Sequence, residues 1–255
     1  HYEKFIQWQF RKLKEKNYVI KGKHPVVWDP QENMPVGDHD RISGEGEVPQ
    51  EFLLIKHKLD DGRIIVTATL RPDTILGITN LYINPEVIYK EIEIGNEHWI
   101  VSEECIPNLE AQNFNPKIIG DVAGTDIIGK RVAVVGGRKV LCLPATFVDA
   151  FFGTGLVHSV PSDSADDLIA LWDIQKDKAL HAQFNLNSSE VEAIEPIAVL
   201  VTPELGEIPA QVMLKQYDVK SQKEDKKLEK IRNELYKLSF YNATFNHLYK
   251  RFNRI

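Results

Sequence analysis

Cysteine is scarce in this sequence. The 255 residues include only Cys105 and Cys142, which stand far apart and form no C-x-x-C pair. Zinc knuckles need closely spaced cysteine ligands, and disulfide-stapled folds need several cysteines in a short chain, so neither class is indicated. Two isolated cysteines are typical of a protein in a reducing compartment, and we expect a cytoplasmic location.

Long apolar stretches are missing as well. No run approaches the roughly 18 apolar residues that are needed to cross a bilayer. The N-terminal stretch is amphipathic and basic, and it lacks the apolar core of a signal peptide. The chain also begins without an initiator methionine. We therefore expect a soluble fragment of a larger protein, without membrane association and with enough hydrophobic residues, 43%, to bury a large core.

Acidic residues exceed basic ones overall, but both ends of the chain are basic. The net charge is −6, whereas residues 1–23 carry seven basic and two acidic side chains and residues 215–255 carry eleven and five. Basic ends are compatible with nucleic-acid binding, because Lys and Arg contacts to phosphate supply most of the non-specific affinity. The alternative is that the charges at residues 220–237 form the solvated face of one helix.

The spacing of apolar residues predicts three helices. One covers residues 1–17, a second starts near Leu168 and continues toward Leu180, and a third covers residues 221–238. The Asp-Gly step at residues 60–62 separates two apolar runs and predicts a β-hairpin.

The remaining segments are rich in β-branched residues and turn signals. Residues 80–150 and 186–214 are both predicted to form mostly short strands. Many short strands with few helices indicate a mixed α/β fold with a β-barrel-like core and peripheral helices. We expect one domain over residues 1–255: a linker over 1–50, a β-rich core over 51–214 and a C-terminal helical segment over 215–255.

Two predicted strand ends carry clusters of polar side chains. In residues 153–168, a glycine-bracketed turn and an apolar run are followed by acids and hydroxyls that open a helix, and residues 67–77 repeat this order on a smaller scale. The start of a helix attracts carboxylates, since its N–H groups are unpaired and it carries a partial positive charge. Ser164 and Asp167 fit a capping box, so from the residues alone this acid either caps the helix or binds a ligand.

Two further patterns suggest chemistry only weakly. Asp38, His39 and Asp40 have side chains that ligate metals, but such a turn more often forms a local hydrogen-bond cluster, here with Arg41. His158 lies near Ser159 and Ser162, as in serine hydrolases. Adjacent residues on a strand point to opposite faces, however, and no G-x-S-x-G motif surrounds these serines. We therefore expect neither a metal site nor a protein nucleophile.

Several ordered motifs resemble the editing domain that is inserted in class I aminoacyl-tRNA synthetases, of the leucyl type found in archaea and the eukaryotic cytosol. The resemblance spans essentially the whole chain. Its motifs are Asp38-His39-Asp40-Arg41, Gly44-Glu45-Gly46, Pro49-Gln50-Glu51, Thr69-Leu70-Arg71-Pro72-Asp73-Thr74 with Gly77, Gly153-Thr154-Gly155, Ser159-Val160-Pro161-Ser162-Asp163-Ser164 with Asp166-Asp167, and more weakly Val219-Lys220-Ser221-Gln222. The chain departs from the family pattern at Ala165, Ser239 and Ala243.

The resemblance implies hydrolysis of tRNA that is charged with a wrong amino acid. The substrate would be the ester that joins isoleucine, norvaline, methionine or a similar residue to the terminal adenosine at the 3′ acceptor end of leucine-accepting tRNA. A positioned water would attack, without a metal or other cofactor. The motifs for adenylate formation, H-x-G-H and Lys-Met-Ser-Lys-Ser, are absent, so ATP and magnesium would serve only the complete synthetase, whose remaining chain is the other expected partner of this monomeric domain.

The resemblance also suggests roles for individual residues. Asp167 would anchor the α-ammonium group of the substrate, and its place near a helix start would help keep it ionised at neutral pH. Thr74 would act as the size filter that excludes leucine, and Thr69 and Arg71 would complete the same wall. The other residues expected to contact substrate are Thr67, Leu70, Gly153, Thr154, Gly155, Val157, His158, Ser159, Asp163 and Asp166.

Two other functions fit the same residues. The first is a non-catalytic module that binds the tRNA acceptor end without hydrolysing it. The second is an editing domain of the valyl type, which shares the threonine-rich motif but is not expected to match residues 38–51.

Overall fold

The computed structural model describes residues 1–22, 24–29, 31–40, 48 and 50–252. It divides the chain into two compact units, His1–Glu51 and Phe52–Ile255. Within the described residues, no helix is both long enough and apolar enough to span a membrane.

The first unit contains the predicted N-terminal helix. Helix α1 covers Tyr2–Glu15, and none of its residues is buried. It is followed by a two-stranded antiparallel ribbon, β1 at Trp28–Asp29 and β2 at Met34–Pro35, and by a 3-10 turn at Asp38–Asp40. The predicted cluster with Arg41 and the motifs at residues 44–46 and 49 fall outside the described residues.

The second unit is built on a nine-stranded mixed sheet. Its strands follow the order β11-β5-β10-β9-β3-β4-β7-β6-β8, with parallel pairs at β5–β10 and β4–β7. The strands are β3 Leu53–Leu59, β4 Ile64–Thr69, β5 Asn80–Ile83, β6 Ile88–Ile94, β7 Glu97–Val101, β8 Lys117–Ala123, β9 Arg131–Ala133, β10 Lys139–Pro144 and β11 Val157–Ser159. The mixed α/β class is therefore confirmed, and the Asp-Gly hairpin joins β3 to β4 as predicted.

A closed β-barrel is not formed. Strands β11 and β8 are the two edges of the sheet, and they do not pair with each other among the described residues. The strands are short and vary from three to seven residues. The count of short strands predicted a β-rich core correctly, but it contained no information on whether the first and last strands meet.

Most helices of the second unit follow β11 in the chain. The helices are α2 Ile106–Ala111, α3 Gly124–Ile127, α4 Ala165–Lys176, α5 Lys178–Gln183, α6 Ser188–Glu192, α7 Pro209–Gln216 and α8 Asp225–Asn242. Helices α4, α7 and α8 share one hydrophobic cluster, in which Leu168 and Ile169 of α4 meet Met213 of α7 and Ile231 and Leu235 of α8. This cluster fixes the start of α4 against α8.

The prediction of strands over residues 186–214 is wrong. Only Leu200–Val201 forms a strand there, β12, and it pairs with β13 at Thr244–Phe245. Residues 188–192 and 209–216 are helices instead. Ala210, Met213 and Leu214 are the buried residues that decide this, because their spacing of three and four places them on one helical face toward α4 and α8. Helices α2 and α3 likewise interrupt the predicted β region at 80–150.

Candidate functional site

The threonine-rich motif lies where β4 ends. The chain leaves Thr69 and forms a 3-10 turn over Pro72–Gly77, with the proline in the first turn. The Thr69 hydroxyl accepts a hydrogen bond from the Arg71 N–H at 3.0 Å, and the Thr74 hydroxyl donates to the Arg71 carbonyl at 2.9 Å. Thr74 is only 2% exposed. Both hydroxyls are thus held in place by the backbone of Arg71.

The second polar cluster lies at the start of α4, as predicted. Ser164 is the N-cap, and its hydroxyl accepts a hydrogen bond from the Asp167 N–H at 3.2 Å. The Asp167 carboxylate does not complete the capping box. One of its oxygens accepts from the Val160 N–H at 2.9 Å, and the carboxylate also interacts with the Ser164 hydroxyl. Val160 and Ser164 therefore hold the Asp167 carboxylate at the start of α4.

A cavity of about 180 Å³ lies between these two clusters and α8. It brings Arg71 and Thr74 of the threonine motif together with Asp163 and Asp166 of the α4 start. Asp167 does not line this cavity, but its two binding partners, Val160 and Ser164, do. The rest of the wall consists of Ala165, Arg232, Leu235 and Tyr236. The two motifs that the sequence places far apart therefore share one site.

Burial raises the pKa of both inner carboxyl groups. The pKa of Asp167 rises to about 7, because burial outweighs the hydrogen bond from Val160. The pKa of Asp163 rises to about 6 for the same main reason, although its bond from the Ser162 hydroxyl and the nearby Arg71 oppose the rise. Desolvation therefore exceeds the helix effect that would help keep Asp167 ionised at neutral pH.

Relatives of the chain are leucine–tRNA ligases. The enzyme of Methanothermobacter thermautotrophicus is 43% identical over 238 residues, which are 93% of this chain and 25% of that enzyme. The enzyme of Pyrococcus furiosus is 38% identical over 252 residues, 96% of this chain and 26% of that enzyme. The chain belongs to the leucine–tRNA ligase family. It spans about a quarter of the length of these relatives, and no family profile matches it.

Solved structures identify the fold. The editing domain of the P. falciparum cytosolic leucyl-tRNA synthetase superposes with a TM-score of 0.72 at 22% identity, covering 79% of this chain and 91% of that one. The corresponding P. knowlesi domain gives 0.72 at 23% identity, covering 79% and 88%. This member of the leucine–tRNA ligase family therefore has the fold of the family's editing domain.

In this member of the leucine–tRNA ligase family, the glycine-bracketed turn packs inward against the loop that follows β7. Gly153 and Gly155 have φ of 62° and 73°, in the left-handed region. The carbonyl of the buried Thr154 accepts a hydrogen bond from the Ser102 N–H at 2.9 Å. A Cβ on Gly155 would lie 2.5 Å from the Cβ of Ser102. The turn is thus fitted to Ser102, and the predicted substrate contacts of these glycines remain predictions.

Replacing Gly155 with Ala should destabilise the fold by roughly 3 kcal/mol, because the variant combines a left-handed backbone with a steric clash. The matched control is Gly137→Ala, since Gly137 has φ of 81° but nothing within 4 Å of an added Cβ. We expect the free energy of unfolding of that control to fall by about 1 kcal/mol. Thermal unfolding measures both, and equal losses in the two variants would contradict the fit of the turn to Ser102.

Thr67 and His158 form a buried network rather than an open surface. The Thr67 hydroxyl is hydrogen-bonded to Nδ1 of His158 at 2.6 Å and to Nε2 of His57 at 2.9 Å. Burial lowers the pKa of His57 to about 3 and that of His158 to about 4, so both imidazoles are neutral. Nδ1 of His158 is bonded to a threonine and not to a serine, and Ser159 is fully buried. The network joins β3, β4 and β11, and His57 is a member that the motif analysis missed.

The remaining predicted contacts divide between the cavity and the core. Asp166 forms a two-point ion pair with Arg232 of α8, with distances of 2.8 and 3.1 Å. Val157 is half-buried and packs against a core cluster, and Leu70 is half-buried at the end of β4. Their contacts with substrate remain predictions. Among the described residues, no three His, Cys, Asp or Glu side chains are close enough together to hold a metal ion.

Asp167→Asn should stabilise the fold above neutral pH. The pKa of Asp167 rises from an ordinary 3.8 to about 7 on folding, so between these values the folded state binds more protons than the unfolded state. Stability therefore falls as pH rises from about 4 to 7, and an amide, which keeps an acceptor for Val160, avoids this loss. A difference of about three between the two pKa values corresponds to about 4 kcal/mol, so we expect a melting temperature roughly 10 °C above wild type at pH 8 and equal values at pH 3.

Thermal melts of the variant across this pH range provide the measurement. Asp166→Asn is the control, because this neighbouring carboxylate is paired with Arg232 at the surface, and its loss should not raise the melting temperature. An Asp167→Asn protein that is less stable than wild type at pH 8 would show that the carboxylate has a structural role.

Proposed function

We propose that this chain hydrolyses the ester of leucine-accepting tRNA that carries a wrong amino acid such as isoleucine, norvaline or methionine. The observation that supports this most directly is the shared site, in which the buried Thr74 and the acidic start of α4 meet. Relatives named leucine–tRNA ligase and neighbours named leucyl-tRNA synthetase editing domains support the choice of substrate. The partners would be the 3′ acceptor end with its terminal adenosine and the remaining synthetase chain.

The chemistry requires positioning more than a reactive protein group. An aminoacyl ester is already activated toward water, so a fixed water, an anchored amine and a size limit suffice. The Asp167 carboxylate would bind the α-ammonium group, and this cation would favour the ionised form of a carboxyl group whose pKa burial has raised. The water would add to the ester carbonyl, and the terminal ribose oxygen would leave with a proton from solvent or from its neighbouring hydroxyl. We propose no metal or other cofactor for this step.

Selection by size would occur at Thr74. A difference of one methylene allows a binding site to discriminate by only about 1–3 kcal/mol, which is too little for accurate translation when a single site must choose. A second site that accepts smaller or differently branched amino acids and excludes leucine can hydrolyse the wrongly charged tRNAs that result. The side chain of Thr74 lies in the cavity wall with its hydroxyl already bound to Arg71, so its methyl group would limit the space for the amino acid.

A deacylation assay tests the proposal. The chain should hydrolyse isoleucyl-tRNA of the leucine acceptor and spare leucyl-tRNA. Binding of the charged tRNA without hydrolysis would instead support the non-catalytic module, and preference for threonyl-tRNA of the valine acceptor would support the valyl type.

A further inference from the structure

Helix α8 exposes three aromatic rings next to the cavity, and we call Tyr236, Phe240 and Tyr241 the aromatic shelf. The rings of Tyr236 and Phe240 are nearly parallel, at 9°, with centroids 5.4 Å apart. Tyr241 meets Phe240 edge-on at 5.2 Å. The three residues are 41%, 48% and 76% exposed. Such rings are costly to leave in water, which indicates a partner that covers them.

Arg71 joins the aromatic shelf to the threonine motif. Its guanidinium lies 5.6 Å from the Tyr236 centroid and 5.7 Å from the Phe240 centroid. It also pairs with Asp73 at 2.7 Å and donates to the Ser239 hydroxyl at 3.2 Å. Burial lowers the pKa of Arg71, but the pairing with Asp73 more than offsets this, so the side chain remains charged. The shelf is therefore held beside the site by contacts from a second element.

The position of the aromatic shelf beside the cavity limits which ligand can contact its rings. Tyr236 lines the cavity, so the rings continue outward from the place where the aminoacyl ester is proposed to sit. The aminoacyl group of a charged tRNA is attached to the terminal ribose, and the nucleotides next to this ribose are unpaired. Unpaired bases stack on aromatic side chains irrespective of their sequence, and a nearby guanidinium strengthens the contact. Basic side chains outnumber acidic ones on α8, five to three, which suits a phosphate backbone.

We propose that the aromatic shelf stacks the unpaired base that precedes the terminal adenosine of the tRNA acceptor end. The proposal rests on the proposed function and deepens it. The shelf would hold the single-stranded end in the direction that delivers the ester to Thr74 and Asp167. Phe240 and Tyr241 would contribute binding to a complete tRNA but not to a substrate that ends at one nucleoside.

The test compares two substrates with the 255-residue chain and its variants. Phe240→Ala should lower kcat/KM for isoleucyl-tRNA about tenfold, through KM, and leave hydrolysis of isoleucyl-adenosine unchanged. Phe240→Trp should restore activity toward the tRNA, because it restores a stacking ring. Phe5→Ala is the matched control. Phe5 is an exposed phenylalanine on α1, not α8, and it also pairs with a neighbouring ring, that of Trp8. The control variant should change neither rate.

Binding is measured separately with a 3′-end oligonucleotide that carries 2-aminopurine before the terminal adenosine. Wild type and Phe240→Trp should quench its fluorescence, whereas Phe240→Ala should not. If Phe240→Ala leaves both the kinetics and the quenching unchanged, the proposal that the aromatic shelf stacks a base is wrong. An equal loss of activity on both substrates would contradict it as well. If wild type hydrolyses neither substrate, the proposed function fails, while the quenching experiment still decides whether the shelf binds a base.

Discussion

Asp167→Asn is expected to reduce the hydrolysis of isoleucyl-tRNA roughly 100-fold. The carboxylate accepts a hydrogen bond from the Val160 N–H, and the residue is 9% exposed beside the cavity. In the proposed mechanism, removing its charge would remove a charge-assisted hydrogen bond to the substrate ammonium group, which contributes about 1.5–3 kcal/mol. Because the amide keeps the acceptor for Val160, we expect the fold to persist. Initial rates with saturating and limiting substrate provide the measurement.

Asp163 is the rival anchor for the amine. It lines the cavity, its Oδ1 is buried without a hydrogen-bond partner among the described residues, and the Ser162 hydroxyl occupies its other oxygen. Asp163→Asn is thus the informative control for Asp167→Asn. If Asp167 is the anchor, the rate of isoleucyl-tRNA hydrolysis should fall less than about tenfold in the Asp163 variant, because only a charge near the anchor changes. A large loss at Asp163 with activity retained at Asp167 would reassign the anchor.

Thr74→Ala should allow hydrolysis of correctly charged leucyl-tRNA. The substitution shortens a side chain that is buried in the cavity wall, and the space gained corresponds to the branch that leucine needs. A difference of one methylene is about 1–3 kcal/mol, so the ratio of isoleucyl to leucyl hydrolysis should fall about 10–200-fold. The measurement is the ratio of kcat/KM for the two charged tRNAs.

Thr74→Val distinguishes size from hydrogen bonding. Valine keeps the branched shape but cannot donate to the Arg71 carbonyl, as the threonine hydroxyl does at 2.9 Å. Discrimination against leucine should therefore survive in this variant. If both variants hydrolyse leucyl-tRNA equally, the hydroxyl and the turn that it stabilises would be the basis of selection, and the size filter would be wrong.

Local signals in the sequence predicted the elements that carry the site. The Asp-Gly turn marked the β3–β4 hairpin, Pro72 marked the turn that follows Thr69, and Ser164 marked the start of α4. Each of these is set by short-range backbone chemistry, so a single sequence contains the information. The family resemblance then associated two motifs that lie about 90 residues apart.

Features that depend on tertiary packing were not predictable in this way. The capping-box pattern left open whether Asp167 bonds back to its own cap or binds a ligand, and it contained no information on the Val160 N–H that the fold brings to this carboxylate. The raised pKa of Asp167 likewise results from burial under elements that are distant in the sequence. Tyr236 belongs to the helix predicted over residues 221–238, and only the packing of α8 against α4 places it at the cavity.

The decisive experiment measures hydrolysis of isoleucyl-tRNA and leucyl-tRNA of the leucine acceptor by this chain, side by side with Asp167→Asn. We predict rapid loss of the isoleucyl ester and little loss of the leucyl ester with wild type. The Asp167 variant should hydrolyse the isoleucyl ester at roughly one hundredth of the wild-type rate. Equal hydrolysis of both esters by wild type, or full activity of the Asp167 variant on isoleucyl-tRNA, would contradict editing through an amine anchored at Asp167.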